Sequence, residues 1–172
     1  AAAAVWPTAT YATTQNLGSW DESLNNWGTV SGNLENGKGY AMTGPINGGV
    51  NTVSFTGTPN HSDFTYPSSG NLSYTTSHSF TGFHMLGNPY PTAMDGQVFL
   101  TDNNNLEGTL WFWDLDLSTT PATADYATWN YTGGTYTTGP SQSGSTTPNR
   151  YIATGQGFMA KLKSAAGTVS YQ

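Results

Sequence analysis

Leu110-Trp111-Phe112-Trp113-Asp114 sets two indoles two residues apart. Period-two geometry puts both on one face of a strand, with Leu110 and Phe112 on the other. Indole and phenol rings offer flat apolar area to the C–H groups of a sugar while polar neighbours take its hydroxyls. Six Trp and ten Tyr in a chain with 8% charged residues make glycan stacking a candidate chemistry. Trp20, Trp27, Tyr126, Trp129, Tyr131 and Tyr136 stand among Asp, Asn, Thr and Gly and are expected to be partly exposed. With Trp111 and Trp113 they form the candidate glycan-binding set. The plainer fate of a strand aromatic is the core of a β-sandwich.

A second chemistry is oxygen ligation. Asp102-Asn103-Asn104-Asn105 with Glu107, and separately Asp114 with Asp116, are oxygen-rich clusters near strand ends. Calcium is bound by carboxylate, amide and carbonyl oxygens, so Asp102, Asn104, Glu107, Asp114 and Asp116 are candidate ligands of a structural calcium ion. Neither cluster has EF-hand spacing, and Asx residues are the default occupants of turns. His61, His78 and His84 lack the spacing of a zinc or copper site; His78 and His84 could approach across a hairpin near Thr81-Gly82, and an ordinary hydrogen bond is the safer reading. There is no G-x-S-x-G elbow and no cysteine nucleophile. Asp21, Glu22, Asp114 and Asp116 could pair as glycosidase carboxylates do, which keeps a glycosidase fragment as a third reading, but the expectation is a protein that is not an enzyme.

The most specific string is Gly82-Phe83-His84-Met85-Leu86-Gly87-Asn88-Pro89-Tyr90-Pro91-Thr92-Ala93-Met94-Asp95. Two prolines make Asn88-Pro89-Tyr90-Pro91 a rigid extended-then-turn segment, with Tyr90-Pro91 the expected place for any cis bond. The string resembles the G-[WF]-x-[LM]-[LV]-G-N-P-Y-P-[ST]-A-[IL]-D stretch of a β-rich module found ahead of type IX secretion sorting domains in large secreted and surface proteins of the Bacteroidota. Residues 20–27 (WDESLNNW), 34–40 (LENGKGY), 55–60 (FTGTPN), 106–114 (LEGTLWFWD) and 152–160 (IATGQGFMA) fit the same resemblance in the same order. The resemblance implies an exported protein, extracellular or on the outer cell surface. It also implies a module that follows adhesion-like or catalytic domains and precedes a sorting domain, so residues 1–172 are read as one domain of a longer chain.

These residues need strands to position them. Short alternating or β-branched and aromatic segments recur between turn clusters: 39–42, 52–56, 72–75, 83–86, 97–100, 109–114, 127–131, 157–162 and 168–171. Gly133 to Arg150 reads as an exposed loop. A weak internal repeat aligns Gly37-Lys38-Gly39-Tyr40-Ala41-Met42 with Gly155-Gln156-Gly157-Phe158-Met159-Ala160. With 21 Gly and 9 Pro, and Ser, Thr and Asn in place of Lys and Glu, long helices are excluded. The expected fold is all-β: one antiparallel β-sandwich of jelly-roll character, with a core of Tyr40, Met42, Val53, Phe55, Met85, Leu86, Val98, Leu110, Phe112, Phe158 and Val169.

Four basic against ten acidic residues give a formal charge of -6, the wrong sign for nucleic acid or anionic lipid. No apolar run approaches a membrane span, and residues 1–11 have no signal-peptide pattern. Cysteine is absent, so packing and strand ladders alone must hold the fold. Sheet edges poor in lysine leave self-association open. The leading expectation is a structural or adhesive module that spaces or anchors neighbouring domains; the alternative is a carbohydrate-binding module that tethers polysaccharide.

Overall fold

The computed structural model describes residues 3–5, 17–30, 33–42, 54–56, 58–114, 126–141 and 147–172. In chain order the elements are β1 (Ala3–Val5), β2 (Leu17–Asp21), β3 (Asn26–Thr29), β4 (Ala41–Met42), β5 (Ser54–Thr56), β6 (Phe64–Tyr66) and β7 (Phe83–Gly87). There follow β8 (Met94–Asp95), α1 (Gly96–Asp102), β9 (Thr109–Trp113), β10 (Tyr126–Thr132), β11 (Thr135–Gly139), β12 (Tyr151–Ile152), β13 (Gly157–Lys161) and β14 (Val169–Tyr171). Every described ladder is antiparallel, and the fold is an all-β sandwich with one short helix.

The largest sheet runs β11-β10-β9-β13-β7. Side-chain alternation separates its faces. Leu86 of β7, Leu110 and Phe112 of β9, Trp129 of β10, and Phe158 and Ala160 of β13 are buried on the inner face. The β6–β14 and β8–β12 ladders, α1 and the bridge residues Leu72, Leu106 and Leu162 contribute the rest of this core. Phe99 of α1 meets Phe158 at 5.5 Å and Tyr171 of β14 at 5.3 Å between ring centroids. The β3-β2-β4 sheet and the β1–β5 pair are separate ladders.

Several expectations are corrected. Residues 97–100 are not a strand but lie in α1, because Asp95 caps the helix by accepting the Gln97 N–H at 3.0 Å, and Gly96, Phe99 and Leu100 bury one helical stripe. Val98 consequently points outward and is 47% exposed instead of lying in the core. Met42 is exposed, and Tyr40 and Met85 are half-buried; Leu86, Leu110, Phe112, Phe158 and Val169 are buried as expected. Val53 lies outside the described residues, and of Phe55 only the backbone is described. Residues 72–75 make a single bridge, Leu72 to Gly167, instead of a strand. The expected loop from Gly133 contains β11, joined to β10 by Gly133 and Gly134 at φ 63° and 84°, the left-handed values that a two-residue hairpin turn requires. Among the described residues the cis peptide is Tyr66-Pro67, not Tyr90-Pro91.

The two Gly-x-Gly-aromatic segments of the weak repeat flank β7. Gly157 to Lys161 pairs with one side of it in a five-pair ladder. On the other side the Gly39 N–H donates to the Met85 carbonyl at 2.9 Å and the Gly87 N–H to the Gly37 carbonyl at 3.0 Å. Gly39 is required there, since a Cβ would strike the Leu86 carbonyl oxygen and come within 2.6 Å of Met85 Cγ.

Buried side chains tie the irregular segments to this frame. Asn88 Nδ2 donates to the carbonyls of Thr92, Ile152 and Ala153 at 2.8, 3.0 and 3.2 Å, and its Oδ1 accepts the Tyr90 N–H at 2.9 Å. Asn103 reads β14 as a strand would: Nδ2 donates to the Ser170 carbonyl and Oδ1 accepts the Ser170 N–H. Glu22, in the β2–β3 turn and 1% exposed, accepts the Thr75 N–H at 2.7 Å, the Gly82 N–H at 2.8 Å and the Thr75 hydroxyl at 3.0 Å. Burial pushes the Glu22 carboxyl up, but donation from Gly82, the Ser73 hydroxyl and Thr75 outweighs it and lowers the group to about 2.

Two outcomes follow from these anchors. Because the folded carboxyl titrates below its unfolded value, Glu22 contributes stability that is complete above the unfolded value of about 4.5 and is lost as pH falls toward about 2, a total of about 3 kcal/mol. Denaturant titrations from pH 6 to about pH 2 are expected to give an acid limb that Glu22→Gln flattens, together with a loss of stability at neutral pH. By the same measurement at pH 7, Asn88→Ala is expected to cost about 2 kcal/mol. Asn88→Asp costs more, because a carboxylate cannot donate to the three carbonyls it would face.

Candidate functional site

The outer face of the five-stranded sheet carries Phe83, Met85, Trp111, Trp113, Tyr126 and Met159, the residues alternating with the buried set. The ladders align them: Tyr126 opposite Trp113, Met159 opposite Trp111, and Met85 opposite Met159. Trp113 and Tyr126 meet edge to face at 5.2 Å. From Trp111 the rings continue through Phe83 at 5.1 Å, Phe80 at 6.1 Å and Trp20 at 5.9 Å to Trp27 at 5.7 Å. Each contact is T-shaped, so the surface is a faceted seam and not a flat row of parallel rings.

Exposure varies along the seam. Trp113 is 53% exposed, and Trp27 and Phe80 are similarly open, whereas Trp20, Phe83, Trp111 and Tyr126 are half-buried by their neighbours. By the Met159 to Trp111 register, the residue beside Trp113 is Gly157, itself opposite Gly87. No Cβ rises next to the indole there, and the floor is made by glycine backbone and the two methionines. Polar groups follow on the same face beyond the Trp111–Thr128 row, at the far end of the strand from Trp113: Asn130 Nδ2 donates to Thr109 Oγ1 at 2.6 Å, and Thr132 Oγ1 to Asn130 Oδ1 at 3.0 Å. Lys161 Nζ stands 5.4 Å from the Phe83 ring and pairs with Glu107 at 2.8 Å.

Five of the eight sequence-derived aromatics, Trp20, Trp27, Trp111, Trp113 and Tyr126, therefore come together. Trp129, expected to be partly exposed, is instead 1% exposed in the core, stacked on Tyr131 at 6.0 Å with 7° between the rings. It belongs to the opposite face because β10 alternates, and Ala127 and Trp129 take the inner positions. The Tyr131 hydroxyl accepts from Gln97 Nε2 at 3.2 Å. Tyr136, opposite Tyr131, is 68% exposed but stands on the inner side of the sheet at its margin. Phe80 and Phe83 were missed as site residues although Ser79, Thr81, Gly82 and His84 flank them with the polar context used for the other rings, because only Trp and Tyr entered the candidate set; their role depends on the β2–β3 hairpin docking beside β7.

The oxygen-rich residues are dispersed among other tasks. Glu107 pairs with Lys161, Asp114 Oδ2 accepts from Ser141 Oγ at 2.8 Å, and the Asn104 carbonyl accepts from Lys163 Nζ at 2.6 Å. Asp102 is exposed at the end of α1, and Asp116 lies outside the described residues. Among the described residues no three His, Cys, Asp or Glu side chains are grouped to hold a metal ion. His84 is buried on β7 with Nε2 2.8 Å from the Ser73 carbonyl, the ordinary hydrogen bond expected for a strand histidine. Among the described residues no helix is long and apolar enough to cross a membrane.

A family described as "Domain of unknown function (DUF8693)" matches residues 4–172. The chain belongs to that family. No curated protein and no solved structure matches it. Among the described residues, the seam of aromatic rings is a partly exposed apolar surface.

The two faces differ in what a truncated ring costs. Trp129→Ala is expected to lower stability by about 3–5 kcal/mol, since the cavity is enclosed. Trp113→Ala is expected to stay within about 1 kcal/mol of wild type. Urea unfolding followed by fluorescence or circular dichroism measures both.

Proposed function

We propose that this domain is a non-catalytic adhesive module of an exported bacterial surface protein, presented among neighbouring domains of a longer chain. The observation that carries the reading is the half-open aromatic seam on the outer face of the five-stranded sheet. Solvated rings at this density are a contact surface in waiting, because covering them releases water from apolar area. A low-charge surface of Thr, Ser, Asn and Gly and the resemblance of the Gly82 to Asp95 string to modules of secreted Bacteroidota proteins support the exported setting. Asp21, Glu22, Glu35, Asp95, Glu107 and Asp114 each have polar partners of their own, which favours adhesion over acid–base chemistry.

A second reading gives the seam a ligand, a neutral polysaccharide. It is favoured by Trp113, open beside glycine and methionine with Tyr126 at its edge, and by the Thr109, Asn130 and Thr132 groups farther along the same face, beyond Trp111, where an extended chain would present hydroxyls. Faceted rings suit a chain that turns as it passes better than a flat crystalline surface.

Retention on insoluble polysaccharides and on bacterial envelope fractions tests both readings. Wild-type protein is expected to be retained, and Trp113→Ala combined with Tyr126→Ala to reduce retention at least about tenfold while circular dichroism stays native. Retention on envelopes alone would remove the polysaccharide reading. Absence of retention on every surface would remove adhesion as the function, and retention untouched by the double variant would move it away from this face.

A further inference from the structure

The sheets differ in how their edges are closed. On the β7 side of the five-stranded sheet the Gly37 to Gly39 segment supplies two backbone hydrogen bonds and seals the margin. At the edge of the three-stranded sheet, the outward Trp27 N–H of β3 is capped by its neighbour Asn26 Oδ1 at 2.8 Å, so that donor is occupied within the strand itself. The remaining described ladders are two or three residues long. β11 is different. It is five residues long, forms the other margin of the largest sheet, and Thr135 to Thr138 are all exposed.

The hairpin geometry says which of its groups have no partner among the described residues. A two-residue turn at Gly133-Gly134 makes Thr132 and Thr135 a hydrogen-bonded pair, and the pattern alternates from there. Thr135, Thr137 and Gly139 therefore point their N–H and C=O groups at β10. The Tyr131 N–H confirms the phase by donating to the Gly108 carbonyl on the β9 side at 2.7 Å. Tyr136 and Thr138 are left with N–H and C=O groups directed away from the sheet. Natural edges are commonly blunted by lysine, proline or a bulge, and Thr135-Tyr136-Thr137-Thr138-Gly139 contains none of these and no charge.

We propose that β11 is a docking edge for a second copy of this chain, the two β11 strands pairing antiparallel about a two-fold axis at Thr137. That register places Tyr136 of each copy opposite Thr138 of the other, and each such pair exchanges two backbone hydrogen bonds, so the strand is its own complement. An aromatic faces a β-branched residue across the axis, a favourable cross-strand pair. Charge explains why the contact is made here: a chain of net charge -6 repels its copy, and an uncharged strand at the margin is where two copies meet at least electrostatic cost. Because the axis is perpendicular to the sheet, both outer aromatic faces lie on the same side of a continuous ten-stranded surface, which doubles the seam available to an extended ligand. The pairing does not depend on what that ligand is.

Analytical ultracentrifugation over micromolar to millimolar concentrations, paired with hydrogen exchange, tests the edge. Wild type is expected to show a reversible monomer–dimer equilibrium, with the Tyr136 and Thr138 amides becoming more protected as concentration rises. Thr138→Pro removes an outward N–H without costing a ladder bond, and Tyr136→Lys puts charge on the edge. Each is expected to weaken dimerisation about tenfold or more while circular dichroism remains native. A monomer at every concentration, a dimer indifferent to both variants, or a dimer whose protected amides lie elsewhere would overturn the proposal; should Thr138→Pro fail to fold, Tyr136→Lys and the wild-type exchange pattern decide it.

Discussion

A backbone N–H or C=O withdrawn from water must find a partner, and this chain meets that demand with a few buried side chains as much as with strand ladders. Asn88, Asn103 and Glu22 each stand where an irregular segment runs against the frame, and each offers donors or acceptors in the spacing a neighbouring strand would have used. Without cysteine there is no covalent staple to hold these segments. The cost of leaving a buried amide or carbonyl unpaired does that work instead. The Gly-Asn-Pro-Tyr string belongs to this system: Gly87 closes the β7 margin, Asn88 gathers three carbonyls, and Tyr90 packs its ring against Phe64 at 6.4 Å.

The same frame produces two unlike faces. On the inner side, α1 and the short ladders lay Phe99, Tyr171, Met94 and Ile152 over the sheet and leave its rings dry. On the outer side the β2–β3 hairpin, latched by Glu22 to residues 75 and 82, packs at the β7 end, and at the β9–β10 end Trp113 is exposed. The latch sets how much of the aromatic seam is spent on internal packing and how much is offered outward.

Much of the architecture was legible because alternation is a local property. The separation of Leu110 and Phe112 from Trp111 and Trp113 needs only a strand, and the structural role of Asn88-Pro89-Tyr90-Pro91 follows from two prolines. Residues 97–100 misled because Val98 and Phe99 suit a strand, while the capping carboxylate of Asp95 and the 96, 99, 100 spacing carry the helical signal. The β11 strand was hidden by its composition: Thr, Tyr and Gly without a buried partner look like a loop until β10 is there to pair with. Trp129 was misplaced because its polar neighbours in sequence are the outward residues of its own strand, and a neighbour at i±1 always faces the other way.

By itself the sequence determined an antiparallel β protein without disulfides, rich in aromatic rings and poor in charge, since composition and period-two patterning act on each segment alone. Only the tertiary structure decided which rings share a surface, which carboxylate is sealed and which sheet edge stays open. Trp20 reaches Trp111 through Phe80 and Phe83, and Glu22 finds its donors 53 and 60 residues away. Such contacts depend on how separate strands stack and which side of the sheet each hairpin folds toward, and no local pattern of residues encodes that choice.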